Sequence, residues 1–169
     1  MATKRSRDTY VNRALATVNM TAANVETFEQ IRFAVGLYQG VAVLIHKIEY
    51  HPTIATCREL VGAADHLAVG LTNTDQLTSL NPVDPRVLGA ISITCIAANV
   101  EPIRPPIILD FTDLPQGGII IPANPLYLGM DTAGFANPGS CSIIIYFTFK
   151  QLSDAEYVEL LQTVFQANI

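Results

Sequence analysis

The sequence predicts an all-β fold closed by one helix, and three observations carry that expectation. Apolar and polar residues alternate over many short stretches, Gly and Pro clusters separate those stretches, and helical spacing appears only near the C-terminal end. Strands do not alternate with helices, which argues against the parallel α/β classes. The 169 residues fit one domain. A domain of this size buries about 70% of the surface its unfolded chain exposes, so neither disulfides nor a metal are needed for stability.

Residues 1–20 begin polar and basic, with weak apolar spacing at Tyr10, Val11, Leu15 and Val18, and read as an N-terminal arm. From Val25 to Val35 a period of two sets Val25, Thr27, Glu29, Ile31 and Phe33 on one side, which reads as a strand. Gly36 and Gly40 then permit a turn. Val41 to Tyr50 is a second strand, rich in β-branched residues and ended by His51-Pro52. Ile54 to Val61 reads equally well as a short strand or an irregular crossing. Leu67 to Leu71 is a short strand, and the polar stretch after it, with Asn81-Pro82 and Asp84-Pro85, reads as a loop.

Val87 to Ala97 follows as a strand with Ile91, Ile93 and Cys95 on one face. Pro102, Pro105 and Pro106 confine the next pairing to an edge, beginning at Ile107. Ile119 to Ile121 and Leu126 to Met130 are short apolar runs on either side of Pro122-Ala123-Asn124-Pro125. Cys141 to Lys150 is the clearest strand, with Ile143, Ile145, Phe147 and Phe149 pointing one way. Ser153 and Glu156 have capping-box spacing, and Tyr157, Leu160, Leu161 and Val164 continue at helical spacing. The total is about eight strands and one helix, which points to an eight-stranded antiparallel jelly-roll sandwich with a short C-terminal helix. The expected division is an arm over 1–20, the sandwich over 21–152 and the helix over 153–169.

Charge narrows the function. Half the residues are hydrophobic and only 15% are charged, against a usual share of roughly 25%. Depletion of charge is a mark of interface cores, so burial against partners is expected. The net charge of −5 is unevenly placed. Lys4, Arg5, Arg7 and Arg13 against Asp8 give the first thirteen residues +3, and the remaining six basic and fourteen acidic residues give −8. The arm reads either as a weak, salt-sensitive nucleic-acid contact or as a solvated tail.

Catalytic patterns are missing. His46, His51 and His66 lack the alternating pair with a carboxylate that a metal site on a strand needs. Gly139-Ser140-Cys141 leads from loop to strand rather than through a strand-to-helix elbow. Asp110 and Asp113 fit a strand end and turn cap. Cys57, Cys95 and Cys141 are odd in number and far apart, and read as buried thiols. No cofactor, metal or enzymatic activity is expected. No apolar core segment opens the chain and no apolar run approaches a membrane span, so neither a signal peptide nor a span is expected.

The segment Lys4-Arg5-Ser6-Arg7, and the run from Arg104 to Lys150 containing Asp110-Phe111-Thr112-Asp113-Leu114-Pro115-Gln116-Gly117-Gly118 and Ile121-Pro122-Ala123-Asn124-Pro125-Leu126-Tyr127, resemble the single-jelly-roll coat proteins of small icosahedral viruses. The resemblance is architectural. It implies a structural virion protein, assembled in the host cytoplasm, that forms an icosahedral shell with copies of itself. It also admits other coat chains and non-specific contact with packaged nucleic acid through the arm. The arm here is shorter and less basic than genome-packaging arms of that family. Expected subunit contacts are the N-terminal segment from Tyr10 to Met20, Tyr10 and Val11 foremost, the loop around Phe135, and Tyr157, Leu161, Val164 and Phe165 on the helix, which serves equally to cover one end of its own sandwich. The alternative is a non-enzymatic, trimeric jelly-roll module that binds carbohydrate or a receptor.

Overall fold

The computed structural model describes residues 11–33, 40–95, 106–122 and 125–166. Among them the chain forms β1 (Asn12–Asn19), β2 (Thr27–Ile31), β3 (Val41–Pro52), α1 (Ile54–Arg58), β4 (His66–Thr72), β5 (Val87–Thr94), β6 (Ile107–Asp110), β7 (Ile119–Pro122), β8 (Leu126–Ala133), β9 (Ser140–Gln151) and α2 (Asp154–Gln166). The strands make two sheets. One runs β1-β9-β3-β6, with β7 also on β3, and the other runs β2-β8-β4-β5. The all-β sandwich expected from alternation is what the chain builds.

The pairing is nested. The first strand pairs with the last (β1 with β9) and the second with the next to last (β2 with β8). Further in, β3 pairs with β6 and β7, and β4 pairs with β5. All of these pairs are antiparallel. Along β3 the partners of residues 42–45 are 122–119 and the partners of 47–50 are 110–107, so β6 and β7 lie end to end, interrupted by residues 111–118. This long ribbon is rolled up by two further antiparallel contacts, β3 with β9 and β4 with β8.

Alternation decides which side of each strand is buried. On β9, Cys141, Ile143 and Ile145 are fully buried, and Ser142, Ile144 and Tyr146 are only half-buried. On β3 the inward residues are Val43, Ile45, Ile48 and Tyr50, a sequence that changes parity at His46. A β-bulge there makes the change: Ile45 lies opposite Phe147 and Lys47 opposite Tyr146, leaving His46 as the extra residue. His46 is held by its ring, with Nδ1 2.7 Å from the Gly117 carbonyl and Nε2 3.0 Å from Thr148 Oγ1. Its carbonyl accepts from Phe111 N at 2.8 Å. The bulge therefore sits where residues 111–118 leave the sheet.

Facing β3 and β9 across the core are Leu67, Val69 and Leu71 of β4 and Leu128 and Met130 of β8, all fully buried. One polar link joins the sheets: Tyr50 Oη, on a side chain with no exposed area, donates to the Gly89 carbonyl at 2.7 Å. Burial holds the Tyr50 hydroxyl well above the usual tyrosine range.

The outer face of the second sheet is covered by its own loop. Phe28, Gly129, Gly70 and Ala90 are register partners in one row across four strands. The two glycines leave a trough. A Cβ on Gly129 would stand 2.7 Å from the Phe28 ring and 2.8 Å from Leu80. Leu77 and Leu80, from the loop between β4 and β5, pack there with Ala68 and Val87. That loop is fixed at its far end by Asp84, which receives both Nε and Nη2 of Arg86, at 3.0 and 2.8 Å. The hydrogen bonds from Arg86 pull the Asp84 carboxyl down to about 2. This covering explains why β4 is buried on both faces.

Three expectations are corrected. The segment 54–61 is neither strand nor irregular crossing: it opens as α1, because Thr53 Oγ1 accepts from Thr56 N at 3.2 Å and caps it. Residues 12–19, assigned to the arm, are a sheet strand, because Val18 reaches the core and every residue from Asn12 to Asn19 has a partner on β9. The strand expected from Val25 begins only at Thr27, after Asn24 takes a positive φ of 59°. The capping box is as expected: Ser153 N donates to Glu156 Oε2 at 2.8 Å, and Glu156 N reaches Ser153 Oγ at 3.4 Å.

Gly129→Ala is expected to lower stability by about 1–3 kcal/mol through overpacking against Phe28 and Leu80. A urea melt reads this as a lower midpoint with an unchanged slope.

Candidate subunit interface

Three connections meet at one end of the sandwich: residues 20–26, 53–65 and 134–139. Residues 134–140 are tied to each of the other two connections by hydrogen bonds. Met20 N donates to the Gly139 carbonyl and Thr53 N to the Ser140 carbonyl, both at 3.0 Å. The Thr56 hydroxyl donates to the Ser140 carbonyl at 2.9 Å and accepts from Ser140 N at 2.8 Å. Asn24 exchanges two bonds of 3.0 Å with the backbone of Phe135. Glu59 accepts from Ala136 N at 2.9 Å, from Asn137 N at 3.1 Å and from Asn137 Nδ2 at 2.9 Å. These donors hold its carboxyl below the usual range, with the Asn137 side chain the largest influence. Asp65 accepts from Val61 N at 3.1 Å and Gly62 N at 2.5 Å. Gly134, at φ +81°, passes so close to Asp65 that a Cβ there would collide with it.

The exterior of this end mixes exposed aliphatic residues with exposed polar and charged ones, among them Thr21, Glu26, Thr53, Arg58 and Asn137. Val25, Ile54 and Val61 are 51%, 70% and 63% exposed. A second apolar site lies along β1, where Leu15 is 75% exposed and Val11, just before the strand, is 59% exposed. Leu15 continues a row across the outer face of its sheet, beside Ile144, Glu49 and Ile108. The next row holds Arg13, Tyr146, Lys47 and Asp110. There Lys47 pairs with Glu49 at 2.7 Å and lies 4.2 Å over the Tyr146 ring.

The expected contact residues divide. Val11 is exposed as required. Phe135 is 4% exposed and packs in the chain's own core, so its loop presents other side chains outward. Tyr157 and Leu161 are half-buried on α2, which packs against β7 of the same chain. Arg13 is exposed on β1. Tyr10, Lys4, Arg5 and Arg7 lie outside the described residues, as do the side chains of Val164 and Phe165. Ile54 and Val61 were not among the expected contacts, whereas Leu15 lies within the N-terminal segment, Tyr10 to Met20, that was expected to make them. The parity of β1 could have singled out Leu15, since Val18 is the strand's buried residue and Leu15 stands on the opposite parity.

Among the described residues no group of three or more His, Cys, Asp or Glu side chains is placed to hold a metal ion. His51 lies 3.6 Å from Glu49, and His66 Nδ1 is 2.9 Å from Thr94 Oγ1. His66, Asp131 and Ser92 border a hollow of about 220 Å³ under Ser79–Pro82. Burial raises the Asp131 carboxyl there, and His66 partly opposes the rise.

Glu59→Ala is expected to cost about 1 kcal/mol near neutral pH, the worth of partly solvated charge-assisted bonds. The folded-state pKa of Glu59 is depressed, so its contribution is complete above the ordinary glutamate value of 4.5 and is lost as pH falls through the lower folded value. Denaturation midpoints of the two proteins should therefore converge in acid.

No known protein family matches the sequence, and no curated protein matches it. Among solved structures the chain is similar to the VP2 subviral particle of infectious bursal disease virus, at 12% identity over 90% of this chain and 40% of that one, with a TM-score of 0.22. It is also similar to structures of that virus's Gx strain (12% identity, 90% and 40% covered, TM-score 0.20) and Gt strain (10%, 87% and 37%, TM-score 0.20). The chain spans about 40% of the length of the first of these. Likeness at this level carries no argument for fold or function.

Proposed function

We propose that the chain is a structural coat subunit: a jelly roll that packs against copies of itself to form the icosahedral shell of a virion, without catalysis. The nested pairing supports the jelly-roll reading. With β6 and β7 taken as one interrupted strand, eight strands form a single ribbon rolled into two sheets.

The observation that carries self-association is the knit loop end. Its buried Asp65 and half-buried Glu59 are spent on internal backbone donors, and its outer surface presents Val25, Ile54 and Val61. Scattered exposed apolar residues are ordinary on a monomer, but an end whose loops are already tied down and which presents three exposed aliphatic side chains beside Glu26, Arg58 and Asn137 is suited to a partner. Such a contact loses little conformational entropy, because its loops are already ordered. Copies of the chain are the principal partners, and other coat chains could share the same contacts. Lys4, Arg5, Arg7 and Arg13 would supply a weak, salt-dependent contact with packaged nucleic acid.

Light scattering and negative-stain imaging of the purified chain test the reading. Closed particles or rings are expected, and Ile54→Lys with Val61→Lys should abolish them while leaving the circular dichroism spectrum unchanged. A monodisperse monomer at micromolar concentration would refute it.

A further inference from the structure

Among the described residues, strand β1 is an edge without protection. The other sheet edges carry obstacles of the kind that discourage pairing between molecules. β2 is short, follows Glu26, contains Glu29 and precedes Arg32. The β6–β7 edge is interrupted by residues 111–118 and ends at Pro122. β5 is occupied from across the core, with its Gly89 carbonyl taken by Tyr50 and its Gly89 Cα facing Leu109 and Phe111. β1 has none of these. Its register with β9 is unbroken from Asn12 to Asn19, and it contains no Pro, Gly or Lys and a single charge, Arg13. An open groove of about 370 Å³ lies between β1 and β2.

The hydrogen-bond parity of β1 is fixed by its end. Met20 N donates to the Gly139 carbonyl, one step beyond the Asn19–Ser140 pair. In an antiparallel ladder the bonded pairs alternate. The even-numbered residues of β1 therefore bond to β9, and the N–H and C=O groups of Arg13, Leu15 and Thr17 point to the outer edge. Those same residues carry their side chains on the exposed face, including Leu15 at 75% exposure.

We infer that β1 pairs antiparallel with β1 of a second copy, about a two-fold axis at Leu15, joining the two sheets that contain it into one. This deepens the coat-subunit reading and rests on the self-association it asserts. An antiparallel strand is its own complement when a residue faces its counterpart. With Leu15 opposite the second copy's Leu15, Arg13 faces Thr17 and Ala14 faces Ala16. The two guanidinium groups are kept apart, and on the inner face Ala14 meets Ala16 and Asn12 meets Val18. The row of Leu15 and Ile144 then continues through the axis into the same row of the other copy. A register centred one residue away on either side breaks the leucine contact, setting Leu15 against Arg13 or against Thr17.

Cysteine cross-linking on the full chain tests both partner and register. In the inferred pair, opposed Cα atoms lie about 5.5 Å apart, within reach of a disulfide, whereas the two Arg13 positions are offset by roughly 13 Å along the strands. With a mild copper oxidant, Leu15→Cys should give covalent dimers. Arg13→Cys alone should not, but should do so when mixed with Thr17→Cys. The unsubstituted chain, which retains Cys57, Cys95 and Cys141, sets the background. Leu15→Pro removes only an outward N–H, so it should keep the circular dichroism spectrum and lose the dimer. Should that variant fail to fold, Leu15→Lys reads the same contact and should raise the dimer dissociation constant by roughly 100-fold, about tenfold for each leucine lost. Particles or dimers that form without Leu15→Cys cross-linking would overturn the edge pairing and leave self-association standing. An unsubstituted chain that stays monomeric would overturn both.

Discussion

The rest of the structure depends on two twelve-residue strands, β3 and β9, lying side by side at the centre of one sheet. Each is apolar on the side that faces the other sheet, and together they present Val43, Ile45, Ile48, Tyr50, Cys141, Ile143 and Ile145 with no exposed area. A one-residue slip between them would turn these side chains to water. Their register is therefore fixed by burial, and it fixes what they carry: β1 on the outer side of β9, and β6 and β7 on the outer side of β3. The bulge at His46 belongs to the same constraint. It restores the inward parity of Ile48 and Tyr50 after Ile45, and its displaced ring and carbonyl become the anchors for residues 111–118.

From this centre the two flanks diverge in character. On one, Tyr50 crosses to Gly89, and Leu109 and Phe111 close over β5, so the sheets are pinned together. On the other, an open groove lies between β1 and β2, lined in part by Phe147, which is in edge-to-face contact with Phe33 at 4.9 Å and Phe149 at 5.3 Å. The ends differ as well. One is knit by Asn24, Thr56, Glu59 and Asp65 into a surface where exposed aliphatic residues lie among polar and charged ones. Several carboxylates of this charge-poor chain are spent on fixing its own loops.

Much of the fold was legible locally. The period of two in 141–150, the Ser153–Glu156 box and the proline-limited entry at Ile107 each correspond to an element in place, because alternation, capping and missing N–H donors act within a few residues. The short helix after Thr53 was not legible, since one capping hydroxyl determines it among residues that suit either conformation. Burial of β4 on both faces depended on Leu77 and Leu80 returning from a polar loop to fill a glycine trough. Phe135 looked available because its neighbours are turn residues, yet Asn24, more than a hundred positions away, holds its backbone against the core.

By itself the sequence determined the class: an all-β chain, charge-poor, with a capped helix at its end and no pattern of catalytic ligands. The tertiary structure decided which strands are neighbours, where the ladder bulges, which edge is left open and which aliphatic residues face outward. The division has one physical cause. Periodicity, capping and turn chemistry are set by adjacent residues, whereas pairing and burial are set by residues distant in the chain, and no local pattern states which of them will meet.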